Sequence, residues 1–151
     1  MWSLGCVAAE LFLGTPLYPG NSSYNMMRYI IETQTMPPDR MLDHGVYTER
    51  YFKRDLNTNL WRLKTPVNID AVAWERRLRR LNSLDDLLNV SYVRPISIFH
   101  DIFAELDDLI LFVDMVKAML HLEASNRITP RQVLSHSFTS MSFSHNSASS
   151  I

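Results

Sequence analysis

The sequence predicts an all-α fold, and three features carry that expectation. Residues 1–13 place Met1, Trp2, Leu4, Val7, Ala8, Ala9, Leu11, Phe12 and Leu13 on nearly every face of one helix, a pattern that expects burial all round. Residues 99–120 carry a second strong apolar stripe through Leu109, Leu111, Phe112, Met115, Val116, Met119 and Leu120. Nowhere does an apolar–polar alternation persist long enough to predict a strand.

The elements follow in order. Gly14 closes the first helix, because a glycine accepts the left-handed backbone that ends helices, and Pro16 and Pro19 hold the chain extended after it. Asn21-Ser22-Ser23 supplies an N-cap for a second helix, with Met26, Met27, Tyr29, Ile30 and Ile31 at helical spacings and Pro37-Pro38 beyond its end. Residues 39–70 read as loop with short turns, the most turn-rich part being Asp55-Leu56-Asn57-Thr58-Asn59. Residues 72–90 form an amphipathic helix candidate with Val72, Trp74, Leu78, Leu81, Leu84 and Leu88 on one side, and Pro95 separates it from the helix at 99–120. Thr129-Pro130 opens a short last helix to about Leu134, as a capping threonine followed by proline in the first turn. One domain is expected over 1–139, with 140–151 a disordered Ser-rich tail.

Composition narrows the function classes. The chain has 151 residues, 46% hydrophobic and 21% charged, which suits a buried core. A net charge of −1 gives no reason to expect nucleic acid or an anionic membrane as a partner. Cys6 is the sole cysteine, so no internal disulfide framework exists and a reducing compartment is expected. Met1-Trp2 offers no secretory signal, and no apolar run reaches the ~20 residues that span a bilayer.

Several strings then resemble a known family. Met1-Trp2-Ser3-Leu4-Gly5-Cys6, Ala9-Glu10-Leu11 and Gly14-Thr15-Pro16-Leu17-Tyr18-Pro19-Gly20 resemble the central helix of the large lobe of eukaryotic protein kinases and the loop after it. Leu60-Trp61-Arg62-Leu63-Lys64-Thr65-Pro66, with Arg28-Tyr29-Ile30 and Thr33-Gln34, resembles the homeodomain-interacting protein kinases of the CMGC group. Met119-Leu120, Asn126-Arg127-Ile128-Thr129-Pro130 and Leu134-Ser135-His136-Ser137-Phe138 resemble the last two helices of the same lobe. The resemblance runs from residue 1 to about 140. It implies the helical C-terminal lobe of a protein-kinase-like fold, truncated on its N-terminal side, and a parent reaction that phosphorylates protein serine and threonine with ATP and magnesium.

The chain lacks the motifs of that reaction. Phosphoryl transfer needs a glycine-rich phosphate cradle, a strand lysine, a His-Arg-Asp loop and an Asp-Phe-Gly. The four glycines, Gly5, Gly14, Gly20 and Gly45, are too far apart for a cradle, and none of the other motifs occurs. No catalytic, cofactor-binding or metal-binding residue is therefore expected within these residues. The resemblance marks Trp2, Gly5 and Arg127 as structural family positions and Glu10 as a possible rim of a substrate groove. The glutamate that pairs with the Arg127 position in the family lies on a segment absent from this chain, so truncating Arg127 is expected to cost about 1 kcal/mol or less.

Other candidates read as structural. Trp2 and Trp61 are expected in the core or lining a groove, and Tyr18 and Pro19 in lobe packing. Cys6 has no basic neighbour to make a thiolate and is expected buried and inert. His44, His100, His121, His136 and His145 have no metal-ligand spacing. Arg76-Arg77-Leu78-Arg79-Arg80 is flanked by Glu75, Asp85 and Asp86, which makes a solvated helix face rather than a nucleic-acid site.

Three readings follow: an inactive fragment of a serine/threonine kinase lobe, a non-catalytic module that binds a protein substrate or scaffold in competition with a full kinase, and a partial gene product with no role of its own. The resemblance places the protein in the nucleus or cytoplasm. Helices that would cover the first helix in the family are missing, so self-association through that helix is expected.

Overall fold

Helix α1, Trp2–Leu13, forms where the apolar run predicts it, and Gly14 ends it at φ 72° with its N–H bonded to the Glu10 carbonyl. The computed structural model describes residues 1–65, 81–90 and 102–140, without the side chains of 102–105. These fall into two compact units, Met1–Leu17 with Leu84–Ile151, and Tyr18–Ser83.

The first unit is organised on α5, Ile102–Met119, which packs against α1, against a 3-10 helix at Leu84–Asn89 and against α7, Ser137–Ser140. Its buried residues Val113, Met115, Val116, Met119 and Leu120 recur at helical spacings and make the core with Ala9, Leu84 and Leu87. Phe112 continues that surface, with its ring 5.0 Å from Phe12 and 5.4 Å from Phe138. Such tilted aromatic pairs contribute about 0.5–1.5 kcal/mol beyond area burial.

α1 meets α5 through its small residues. Gly5 and Ala9 are its buried positions, and a Cβ added at Gly5 would lie 2.9 Å from Met119 Cβ and 3.0 Å from Leu120 Cδ2. The opposite face, Leu4, Val7 and Leu11, stands 53%, 49% and 80% exposed. Burial all round is thus not what α1 achieves: one narrow face is covered and the apolar stripe opposite faces solvent.

The end of this unit is built as expected, with an addition. Thr129 caps α6, Pro130–Leu134, through a reciprocal box in which its hydroxyl accepts from Gln132 N–H and Gln132 Oε1 accepts from Thr129 N–H. α7 then extends the helical structure to Ser140, where the sequence predicts a loose tail. His136 fixes its start. Phe138 N–H donates to His136 Nδ1 at 3.2 Å, so Nε2 carries the proton and donates to Asp114 Oδ2 on α5, also at 3.2 Å. Residues 141–151, assigned to the tail, lie outside the described residues.

Where the sequence predicts one amphipathic helix over 72–90, the described part is the 3-10 helix. Leu84 and Leu87 are its buried residues, three apart. In a 3-10 helix residues three apart stand directly over one another, so Leu84 and Leu87 share the covered face, and Leu88, expected in the stripe, is half-buried. Residues 72–80, and with them the Arg76–Arg80 cluster, lie outside the described residues, as do Pro95 and residues 99–101 of the third helical prediction.

The second unit holds α2, Ser23–Gln34, with Ser22 as its N-cap accepting from Asn25 N–H at 3.1 Å. Its buried stripe is Asn25, Tyr29 and Thr33 rather than the methionines and isoleucines, and Met26 is exposed. Tyr18 is buried as expected, and its hydroxyl accepts from Gln34 Nε2 at 2.8 Å. The stretch predicted as loop is more ordered than expected. It contains α3 (Asp39–His44), α4 (Thr48–Tyr51) and an antiparallel hairpin of β1 (Phe52–Arg54) with β2 (Trp61–Leu63). Each strand is three residues long, too short for alternation to register in the sequence. The turn-rich segment is the hairpin loop: Asp55 Oδ1 accepts from Asn57 and Thr58 N–H, each at 3.0 Å, and Asn59 takes φ 54°. Helices therefore dominate both units, with this one hairpin among the described residues. None of the described helices is long and apolar enough to cross a membrane.

Gly5→Ala tests the α1–α5 seam. Alanine gains about 1 kcal/mol of helix propensity, but its methyl meets Met119 Cβ, which moves only with the α5 backbone. Overpacking costs about 1–3 kcal/mol, so a net loss is expected as a lower urea midpoint. An unchanged or higher midpoint would mean that the seam has slack.

Candidate functional site

The sequence-predicted structural positions converge at one corner of the first unit. Trp2 opens α1, and Arg127 lies in the turn between α5 and α6. The Arg127 guanidinium stands 5.3 Å from the centroid of the Trp2 ring. Its Nε donates to the His121 carbonyl at 3.0 Å and its Nη2 to the Leu122 carbonyl at 3.2 Å. The turn is tightened further by Ile128 N–H on the Ala118 carbonyl and by Asn126 Nδ2 on the buried Glu123 carboxylate at 2.8 Å. Arg127 therefore has partners inside these residues, which the sequence did not disclose: backbone carbonyls and an aromatic face, all suited to a planar guanidinium.

Gly5 and Cys6 follow Trp2 along α1, with Gly5 at the close approach to α5. Cys6 is half-buried, not enclosed as expected, because α1 is covered on one face alone. Burial, and then the Glu10 carboxylate one turn on, push its thiol above the ordinary range, so it stays protonated and unreactive. Glu10 is exposed and makes no ion pair among the described residues. Glu10 is not among the partners of Arg127, which are the His121 and Leu122 carbonyls and the Trp2 ring.

The second unit carries a cavity of about 860 Å³ lined by Leu42, Asp43, Thr48, Phe52, Arg54 and Trp61 among others. The hairpin builds its wall. Register pairs Arg54 with Trp61 on one face, where the guanidinium lies 4.7 Å from the indole centroid. Asp43, from α3, accepts from Trp61 Nε1 at 2.8 Å and from Arg54 Nη2, so one carboxylate ties helix to hairpin. The Trp61 indole N–H, helped by the Arg54 charge, holds the Asp43 carboxyl below the ordinary carboxylate range. The N–H groups of Thr58 and Asn57 do the same for Asp55, which also pairs with Arg62 at 3.2 Å.

These bonds define what the cavity can do. Asp43 is an ionised carboxylate already occupied by two donors, unsuited to accept a proton as a general base near neutrality. Lys64 Nζ donates to the Glu49 carbonyl. No group of three or more His, Cys, Asp or Glu side chains is placed to hold a metal ion among the described residues. His44 and His121 are engaged with local backbone, through the Arg40 carbonyl and the Glu123 N–H; His100 and His145 lie outside the described residues. The arrangement is that of a structural wall with a mixed-charge rim. Trp61 was legible as a groove-lining residue. Asp43 was not, because it reaches Trp61 across 18 residues with no motif to announce it.

No protein-family model matches the chain. Curated relatives do. It is 45% identical over 147 residues to homeodomain-interacting protein kinase 2 of Mesocricetus auratus, covering 93% of this chain and 12% of that protein. It is 45% identical over 148 residues to homeodomain-interacting protein kinase 1 of Mus musculus, covering 94% and 12%. It is 41% identical over 152 residues to homeodomain-interacting protein kinase 4 of Homo sapiens, covering 93% and 25%. The chain thus spans an eighth to a quarter of the length of the relatives it matches.

Arg127→Ala is expected to cost about 2 kcal/mol, from two bonds donated by a charged group and a ring contact. Arg127→Lys is expected to recover little, since an ammonium cannot fork between two carbonyls while lying on Trp2. Denaturant midpoints check both; a loss under about 0.5 kcal/mol for alanine would reduce the corner to a surface contact.

Proposed function

Because the chain is a homeodomain-interacting-kinase-like segment, we propose that it forms helices of the large lobe of a serine/threonine protein kinase, where it supports phosphorylation of protein hydroxyls without supplying the reacting groups. The observation that carries this reading is the match to protein kinases running through almost the whole chain, together with the absence from these 151 residues of a phosphate cradle, a magnesium-binding carboxylate motif and a His-Arg-Asp loop. Arg127 and Trp2 fit this role as lobe-building residues. ATP and magnesium belong to the parent reaction and not to this segment. A nuclear or cytoplasmic setting goes with the same reading.

A second reading draws on one observation, the exposed Leu4, Val7 and Leu11 stripe on α1. We propose that this stripe is a contact face, through which the isolated chain self-associates or docks a protein substrate or scaffold without catalysis. Burying a leucine-sized side chain is worth about 1.5–3 kcal/mol, so three residues on one stripe favour association at ordinary concentrations. Light scattering over a concentration series is expected to give a rising mass, and Leu11→Lys to restore a monomer. A wild-type chain that stays monomeric throughout would end this reading.

The first reading is tested by titrating the 151-residue chain with magnesium-ATP in a calorimeter. No saturable heat is expected. Specific binding at micromolar concentrations would place a nucleotide site within these residues and overturn it.

A further inference from the structure

Lysine is scarce in this chain. There are three, Lys53, Lys64 and Lys117, and all three lie among the described residues. Each reaches solvent, so depth does not separate them. What separates them is the partner each ammonium already holds, because an amine that is to be modified must first give that partner up.

Lys64 Nζ donates to the Glu49 carbonyl on α4. Lys117 Nζ bonds Asp85 Oδ1 at 2.6 Å and ties α5 to the 3-10 helix. Lys53 is the middle residue of β1, with no hydrogen bond or ion pair to any described residue. The backbone under it is extended and held on both sides: Phe52 is buried, and Arg54 is bound to Asp43. Among the described residues β1 has a strand along one edge alone. The register sets Lys53 directly opposite Arg62. Paired side chains share one face of the sheet, and like charges placed so destabilise the ladder. Arg62 has a carboxylate to answer its charge, Asp55 at 3.2 Å, while Lys53 has none.

We propose that Lys53 is an acylation site, the lysine of the three that a protein lysine acetyltransferase modifies first in the folded chain. The ammonium loses one proton to the transferase's base. Lys53 Nζ then forms a bond to the carbonyl carbon of the acetyl thioester of coenzyme A, and the carbon–sulfur bond breaks. A second proton leaves the nitrogen and the departing thiolate takes one up, so the products are a neutral amide, a free thiol and one released proton. Acetylation removes the lysine charge, whereas methylation would keep it. Acylation is therefore the amine chemistry that relieves the opposition of Lys53 and Arg62, and it tightens the hairpin that carries Arg54 and Trp61 onto Asp43. This inference stands on the three lysines and the hairpin register alone, independent of the chain's kinase-like character.

The test incubates the folded 151-residue chain with acetyl coenzyme A, once alone at mildly alkaline pH and once with a purified lysine acetyltransferase, and locates acetyl groups by peptide mass spectrometry. The chain unfolded in urea is run beside the reaction without enzyme. In the folded chain Lys53 is expected to be acetylated at least about threefold faster than Lys64 or Lys117, the scale of the exposed pairing those two give up, and the three rates are expected to converge in urea. Lys53→Arg is expected to remove the signal at that position and to leave hydrogen exchange of the ladder amides unchanged. Lys53→Gln, neutral like the acetylated side chain, is expected to slow exchange of the Asp55 and Lys64 N–H groups, which bond the Leu60 and Tyr51 carbonyls, by about two- to fivefold. Lys64 or Lys117 acetylated as fast as Lys53 in either reaction on the folded chain would overturn the proposal, and so would a Lys53 that the transferase leaves unmodified. Exchange as fast in Lys53→Gln as in Lys53→Arg would overturn the tightening of the hairpin.

Discussion

The seam between α1 and α5 is the constraint on which the first unit depends. A helix as apolar as α1 has many ways to pack, and what selects one is the absence of a side chain at Gly5. With Met119 Cβ 2.9 Å from where a Cβ would sit, the two backbones approach as closely as the chemistry allows. Ala9, one turn on, extends the narrow face and is fully buried. Once this face is set, Phe12 reaches Phe112, Phe112 reaches Phe138, and Trp2 comes under Arg127. Small residues inside thus place large residues at the rim, and Leu4, Val7 and Leu11 point away as a geometric consequence.

In the second unit a carboxylate takes the organising part. A two-stranded hairpin of three-residue strands is marginal alone. Here Phe52 is buried beneath it, and Asp43 receives the Trp61 indole and the Arg54 guanidinium together. Donors from both strands thus meet on a helix that precedes them. The hairpin loop is held in the same manner by Asp55, whose side chain replaces backbone partners for Asn57 and Thr58. These polar ties are exposed and individually weak; their role is to fix register and orientation over a small apolar contact.

Function follows from what these groups are already doing. The titratable side chains that a reader of sequence would examine first are engaged in structure: His136 bridges α7 to α5, Asp43 bridges α3 to the hairpin, and Arg127 closes a turn. Cys6 is held as a neutral thiol. Side chains committed in this way hold shape and orientation and are not free for chemistry. Among the described residues of the first unit, what these contacts leave uncovered is an apolar stripe on α1, Leu4, Val7 and Leu11.

Several elements were legible without coordinates because their signals are local. Gly14 ends α1 and Ser22 and Thr129 cap α2 and α6 through bonds that span four residues or fewer, and the α5 stripe repeats with the helical period. The Trp61 string and the Asn126–Pro130 string resembled a family because runs of adjacent residues carry that resemblance. The hairpin was not legible, since three residues a side give no period to detect. Nor was the 3-10 turn, where Leu87 and Leu88 are equally apolar and only the packing on α5 chooses between them. The partners of Arg127 and of Trp61 were invisible for a similar reason: a backbone carbonyl has no sequence signature, and Asp43 is one aspartate among many. The sequence by itself determined the longer helices α1, α2 and α5 and the caps of α2 and α6, because those depend on neighbours along the chain. Which face of α1 is covered and which aspartate holds the hairpin were decided by tertiary structure, because each depends on how closely residues distant in the chain can approach.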